Sequence, residues 1–215
     1  YMAEQSDEAL VEQFSGAEQV LCIVNTRRHA QNLFGLLKEV LSFEEGIYHL
    51  STRMCPLHRR GKLAEIRNRL TEGLSCRVIS TQLIEAGVDV DFPVVYRSIA
   101  GIDSIVQAAG RCNREQKRKE GNVFIFKPQN KKDLPPGDFS RNAKIAEEVF
   151  GEFSDPMCLE AVDGYFRKLY AMSGDLSLDS KKILEKLEVK ERIRELLFNF
   201  PEIAQDFQLI DSATE

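Results

Sequence analysis

The string QAAGRCNR, residues 107–114, holds the side chains best suited to chemistry on a phosphate. Arg111 and Arg114 stand three residues apart, near one helical turn, so the spacing predicts that both point one way. Guanidinium groups stay charged and match phosphate oxygens with a two-pronged fork. Phosphoryl transfer spreads charge over the transferred oxygens, and an arginine placed there is worth about 10³–10⁵ in rate. Gln107, one turn earlier, can face the same point, and Gly110 allows close backbone approach. The plainer reading of these residues is an amphipathic helix end with surface arginines.

A second string, STQLIEAGVDVDFPVV (80–95), leaves one apolar run through Ser80 and Thr81 and enters another. Thr81 can offer a hydroxyl or backbone N–H to a nucleic-acid phosphate. Gly87 permits an unusual backbone beside a nucleotide. Asp89 can accept from a ribose hydroxyl or meet the arginines, and Glu85 can contact bases or brace an interface. Asp89 and Asp91 also suit an ordinary turn. In a third string, IVNTRRHAQNLF (23–34), an apolar run ends at Asn25 and Thr26 where a helix begins, and helix N-termini hold phosphates. HLSTRM (49–54) and LHRRGK (57–62) repeat that plan. Ser51, Thr52, Arg53, Arg59 and Arg60 suit a DNA backbone, although Arg59, Arg60 and Lys62 equally suit a solvated helix face.

These strings need strands and helices to position them. VLCIV (20–24), GIYHLS (46–51), CRVIS (76–80), VVYRS (94–98) and NVFIFK (122–127) read as strands; short continuous apolar runs mark buried parallel strands. Helices are expected at 5–15, after Thr26 as cap, at 56–72 behind Pro56, and at 103–109. In the helix after Thr26, Leu33, Leu36, Leu37, Val40 and Leu41 fall on one face. Strands alternating with helices predict an α/β fold with a mainly parallel sheet, whose ligands sit at the carboxyl ends of the strands. PPG at 135–137 ends the strand signal, and helices follow by period at 139–150, 155–173, 179–189 and 191–199. The expected division is a linker or helix over 1–18, the α/β domain over 19–132, and a truncated helical extension over 133–215.

Composition narrows the class. With 43% hydrophobic and 29% charged residues, the 215-residue chain can build a core, and global disorder is not expected. No apolar run approaches the ~20 residues of a membrane span, so no membrane partner is expected. Five scattered cysteines without a C-x-x-C pair read as free thiols in a reducing cytoplasm, and three histidines make no zinc spacing with them. The net charge is −5, yet residues 21–132 carry 19 Lys and Arg against 11 Asp and Glu. A basic middle lies between acidic flanks, which suits a polyanionic partner.

The order and wording of the strings are similar to motifs IV, V and VI of superfamily 2 helicases. STQLIEAGVDVDFPVV with IVQAAGRCNR, then a basic loop and GNVFIFKP, most resembles the CRISPR-associated helicase–nuclease of type I systems. The resemblance covers about residues 19–128. It implies the second RecA-like motor domain of a three-layer α/β fold. It places Arg111 and Arg114 as arginine fingers with Gln107 beside them, and Gly87, Asp89 and Gly110 at the nucleotide. Thr81 and Glu85 then touch DNA or the domain interface, and Asn25, Thr26, Ser51 and Arg53, from the strand-end strings, are the further nucleic-acid candidates. It further implies ATP with Mg2+, single-stranded DNA, and recruitment to an RNA-guided surveillance complex. No G-x-x-x-x-G-K-[ST] loop, no Asp-Glu-x-[Asp/His] box and no His-Asp step are present. The expectation is therefore a fragment that hydrolyses no ATP alone, with the first motor and nuclease domains upstream. Another superfamily 2 RNA or DNA helicase, or a RecA-like module that only binds a partner, also fits these residues.

Overall fold

The computed structural model describes residues 4–42, 45–173, 179, 181–187 and 200–207. Its centre is a six-stranded parallel sheet in the order β1-β6-β5-β2-β4-β3. The strands are β1 (Glu4–Gln5), β2 (Gln19–Val24), β3 (Ile47–Leu50), β4 (Cys76–Thr81), β5 (Val94–Ser98) and β6 (Asn122–Pro128). Helices α1 (Asp7–Ser15), α2 (Arg27–Val40), α3 (Pro56–Thr71) and α4 (Ile102–Ala109) connect them. This is the expected α/β architecture.

Strand β2 shows why. Its side chains alternate between the two faces. Val20, Cys22 and Val24 join α1 and α2 through Leu10, Phe14, Leu33 and Leu37. Leu21 and Ile23 join the opposite cluster of Ile66 from α3, Ala108 from α4, and Ile84, Val88 and Phe92 from the 82–92 segment. Both faces are covered, so an uninterrupted apolar run is what the position requires.

Local signals set the ends. Thr26 caps α2 by accepting the His29 N–H at 3.1 Å, and Ser6 caps α1 by accepting that of Ala9 at 3.3 Å. The Ser6 cap explains a difference from expectation. The helix starts at Asp7, and Glu4 and Gln5, just before the cap, pair in parallel with Lys127 and Pro128 as an edge strand. Gly46 enters β3 with φ +86°, where a Cβ would lie 2.2 Å from the Ser75 carbonyl oxygen. Val40 departs from its expected buried face and is 58% exposed.

Two further helices follow, α5 (Asp138–Glu152) and α6 (Leu159–Ser173). Helix α5 packs on α4 and buries Ala143, Ile145, Ala146 and Val149. The chain divides into two compact units, the first ending at Tyr165 and the second beginning at Phe166, so the division falls within α6 rather than near residue 132. In the second unit Phe166 stacks on Tyr170. Short helices Ile183–Leu187 and Phe200–Asp206 are joined by Lys186, which pairs with Glu202 at 2.8 Å and with Asp206. The expected helix at 191–199 lies outside the described residues. Among the described residues no helix is long and apolar enough to cross a membrane.

Candidate nucleotide and nucleic-acid interface

Strand register gathers the polar residues at one edge. Val24 pairs with Thr81 and Leu50 with Ser80, so the carboxyl ends of β2, β4 and β3 lie side by side. A cleft of about 450 Å³ opens there, lined by Asn25, Thr26, Arg27, Arg28, Thr52, Thr81 and Gln82. The N-terminus of α2 borders it, adding partial positive charge. The Thr81 hydroxyl is buried and has no hydrogen-bond partner among the described residues, which leaves a donor for an incoming oxygen. The cleft is braced from beneath by Asp133, which is 1% exposed, pairs with Arg28 at 2.7 Å and accepts from Thr26 at 3.3 Å.

Not every expected residue has polar groups to spare for a ligand in this cleft. Asn25 uses both amide hydrogens internally, on the Ser98 hydroxyl at 3.0 Å and the Ile99 carbonyl at 2.9 Å. Its oxygen accepts from Arg97 at 2.5 Å. Glu85 is buried, with its carboxylate 2.7 Å from Arg97. Burial pushes the Glu85 carboxyl above its ordinary range, against the pull of Arg97. Ser51 is buried, and Arg53 is exposed outside the cleft lining.

The arginine string adopts a geometry different from the expected one. Helix α4 ends at Ala109, and Asn113 has φ 47°, so residues 111–114 turn instead of continuing a helix. The helical spacing does not apply, and the two arginines diverge. Arg111 points inward and donates to the Val88 and Glu85 carbonyls, both at 2.5 Å. Burial, then the nearby Arg114 charge, lowers its pKa. Arg114 is 46% exposed, and its Nε lies 3.4 Å from the Asp89 carboxylate. Asp91 accepts from the Arg114 backbone N–H at 2.7 Å and pairs with Arg118 at 3.2 Å.

Segment 85–91 therefore lies under arginines from several elements. Arg67 of α3 adds a bond to the Asp89 carbonyl at 2.8 Å. Gly87, at φ +68°, makes the turn that aims these carbonyls inward, in the region where only glycine is free of strain. Gly110 differs: it sits at φ −63° as the α4 cap. Gln107 is exposed on α4. Arg97, Arg67 and Asp133 were absent from the sequence candidates. A lone charge inside the apolar strand VVYRS was the signal for Arg97; the other two carry none.

Residues 16–117 match the family described as CRISPR-associated nuclease/helicase Cas3, C-terminal. A curated relative, the CRISPR-associated nuclease/helicase Cas3 of Haloferax volcanii, is 46% identical over 92 residues, which is 41% of this chain and 10% of that protein. The chain thus spans about a tenth of that relative's length. Among solved structures, T. fusca Cas3 with ATP superposes with a TM-score of 0.59 at 20% identity, over 83% of this chain and 23% of that one. A chain of a CRISPR RNA-guided surveillance complex, pre-nicking, gives 0.54 at 19% identity, over 79% and 23%. The two structures share the fold, and residues 16–117 are similar in sequence to the C-terminal part of the Cas3 nuclease/helicases.

Proposed function

We propose that this chain is the second motor domain of an ATP-dependent single-stranded-DNA translocase acting in CRISPR interference. The carrying observation is that segment 81–91 borders both candidate sites. Thr81 opens the polar cleft at one end, and Asp89 meets Arg114 at the other. One short segment that touches both sites suits an enzyme whose strand movement follows its nucleotide state.

In this reading a DNA phosphate enters the cleft and meets the Thr81 hydroxyl and the α2 N-terminus. Arg114, exposed and held loosely by Asp89, is the residue free to swing onto a γ-phosphate and stabilise charge developing in transfer. Arg111 shapes the segment instead of reaching out. ATP would be bound here together with the first RecA-like domain, and its Mg2+ by residues other than these. Among the described residues no three His, Cys, Asp or Glu side chains gather into a metal site. Degradation of the strand by the nuclease domain, recruitment by an RNA-guided surveillance complex, and a cytoplasmic setting belong to the same proposal and rest on kinship.

Arg111's engagement in the fold favours a second reading, a binding module without catalysis. Steady-state ATPase of the intact protein with single-stranded DNA separates the two. Arg114→Ala is expected to lower turnover by about 10³-fold while sparing DNA affinity. Near-normal stimulated turnover in that variant would make the passive module the leading reading.

A further inference from the structure

Arg97 is the last but one residue of β5, with 0% of its surface exposed. A guanidinium so placed is costly unless its charge and hydrogens are met. Its Nε lies 2.7 Å from the Glu85 carboxylate, and one terminal nitrogen donates to Asn25 at 2.5 Å and to the Ser98 carbonyl at 2.7 Å. Each neighbour belongs to a different site. Asn25 lines the polar cleft. Glu85 carries on its own carbonyl the hydrogen bond from Arg111. Ser104, in the first turn of α4, helps draw the Glu85 carboxyl back down against burial, and α4 leads into the arginine string.

We propose that Arg97 is a positioning residue: with Glu85 it forms a buried link, Asn25–Arg97–Glu85–Arg111, that makes occupation of the cleft felt at the arginine string. The claim rests on the function proposed above and adds residues to it. Every step is a short polar contact, and Arg97 and Glu85 are sealed from water. Asn25 has no spare hydrogen to exchange for solvent. A shift of the β2 end by an entering phosphate therefore pulls on Arg97, not on water. Arg97 holds Glu85, and Glu85 holds Arg111 by the main chain. Packed polar chains of this kind have discrete arrangements, which is how they carry coupling between sites. A purely structural pair would be replaceable by apolar side chains of like volume with no loss of communication.

That contrast supplies the test. The 215-residue chain is mixed at low salt with saturating oligothymidylate, and amide hydrogen exchange is followed at 85–89 and 107–114. Wild type is expected to change protection in both windows. The double variant Glu85→Met with Arg97→Met is expected to stay folded at a lower melting temperature, because the Asn25 oxygen and Ser98 carbonyl lose their donor, to keep its oligothymidylate affinity within about two-fold, and to lose the remote change. Arg97→Lys covers the case in which the double variant fails to fold. It keeps a charge beside Glu85 but cannot span to Asn25 as well, so it too should lose the response at 107–114. A folded variant that binds and still shows the full remote change overturns the link. Binding by wild type with no change at 107–114 overturns it as well. No binding at all by wild type defeats the cleft reading first, and the link with it.

Discussion

Arg111 and Arg114 share a motif but differ in what removing them would do. Arg111 satisfies two carbonyls in a buried corner. Arg111→Ala is expected to lower stability by about 1–3 kcal/mol, because buried acceptors lose their donors. Arg114→Ala should leave melting nearly unchanged, since exposed ion pairs contribute about 0–1 kcal/mol. Thermal melts of the two variants side by side would check this; equal losses would contradict the inward placement of Arg111. The cysteines give a second test. Burial raises the Cys22 thiol far above its ordinary value and pushes Cys76 up to about 12, whereas Cys55 is exposed at the start of α3. Thiolates are the nucleophiles, so iodoacetamide on the folded chain should label Cys55 first and leave Cys22 and Cys76 until unfolding. Peptide mass spectrometry showing early Cys76 labelling would contradict the sealed β4.

At the scale of elements, helix α3 carries an uncompensated charge. Lys62 pairs with Glu65 and Arg69 with Glu45. Arg59 and Arg60 make no ion pair among the described residues, and with Arg67 they line a groove of about 410 Å³ over Leu63, Leu83 and Val88. If the strand's phosphates pass here, Arg59→Ala with Arg60→Ala should weaken oligonucleotide binding and flatten its salt dependence, by roughly 0.7 in log–log slope per lost contact. An unchanged slope would return these arginines to the solvated face. Elements were largely legible in the sequence, and the reason is visible in β2 and β4. Strands buried on both faces leave runs that no surface segment imitates. Strand β1 was not legible, because its two residues owe their conformation to the neighbouring β6 edge and not to their own types. The direction of Arg111 was not legible either. It depends on α4 stopping at Ala109, after which Arg111 and Asn113 bond to the Phe92 backbone. Likewise Asn25 reads as a free amide until β5 brings Arg97 to it across 72 residues.

At the scale of the molecule, charge and chemistry pull in different directions. The whole chain is at −5, yet its cleft and α3 are bordered by arginines, and the acids concentrate toward the two ends. Long-range attraction for a polyanion is thus partly cancelled, while local phosphate contacts remain. Binding of single-stranded DNA to this chain alone should be weak and fall steeply with salt. Catalysis should be absent altogether. Transfer of a phosphoryl group needs a cradle for the β- and γ-phosphates and a held metal as well as an arginine. The sequence has no G-x-x-x-x-G-K-[ST] loop, and the described residues form no carboxylate cluster for the metal. Arg114 by itself can only stabilise charge on a group that something else has bound. Steady-state ATPase of the chain, with and without oligothymidylate, is expected to stay at background, and fluorescence anisotropy over a salt series should show the weak binding. Turnover above background from this chain would mean that it holds a complete nucleotide site, and the half-site assigned to Asp89 and Arg114 would have to be redrawn.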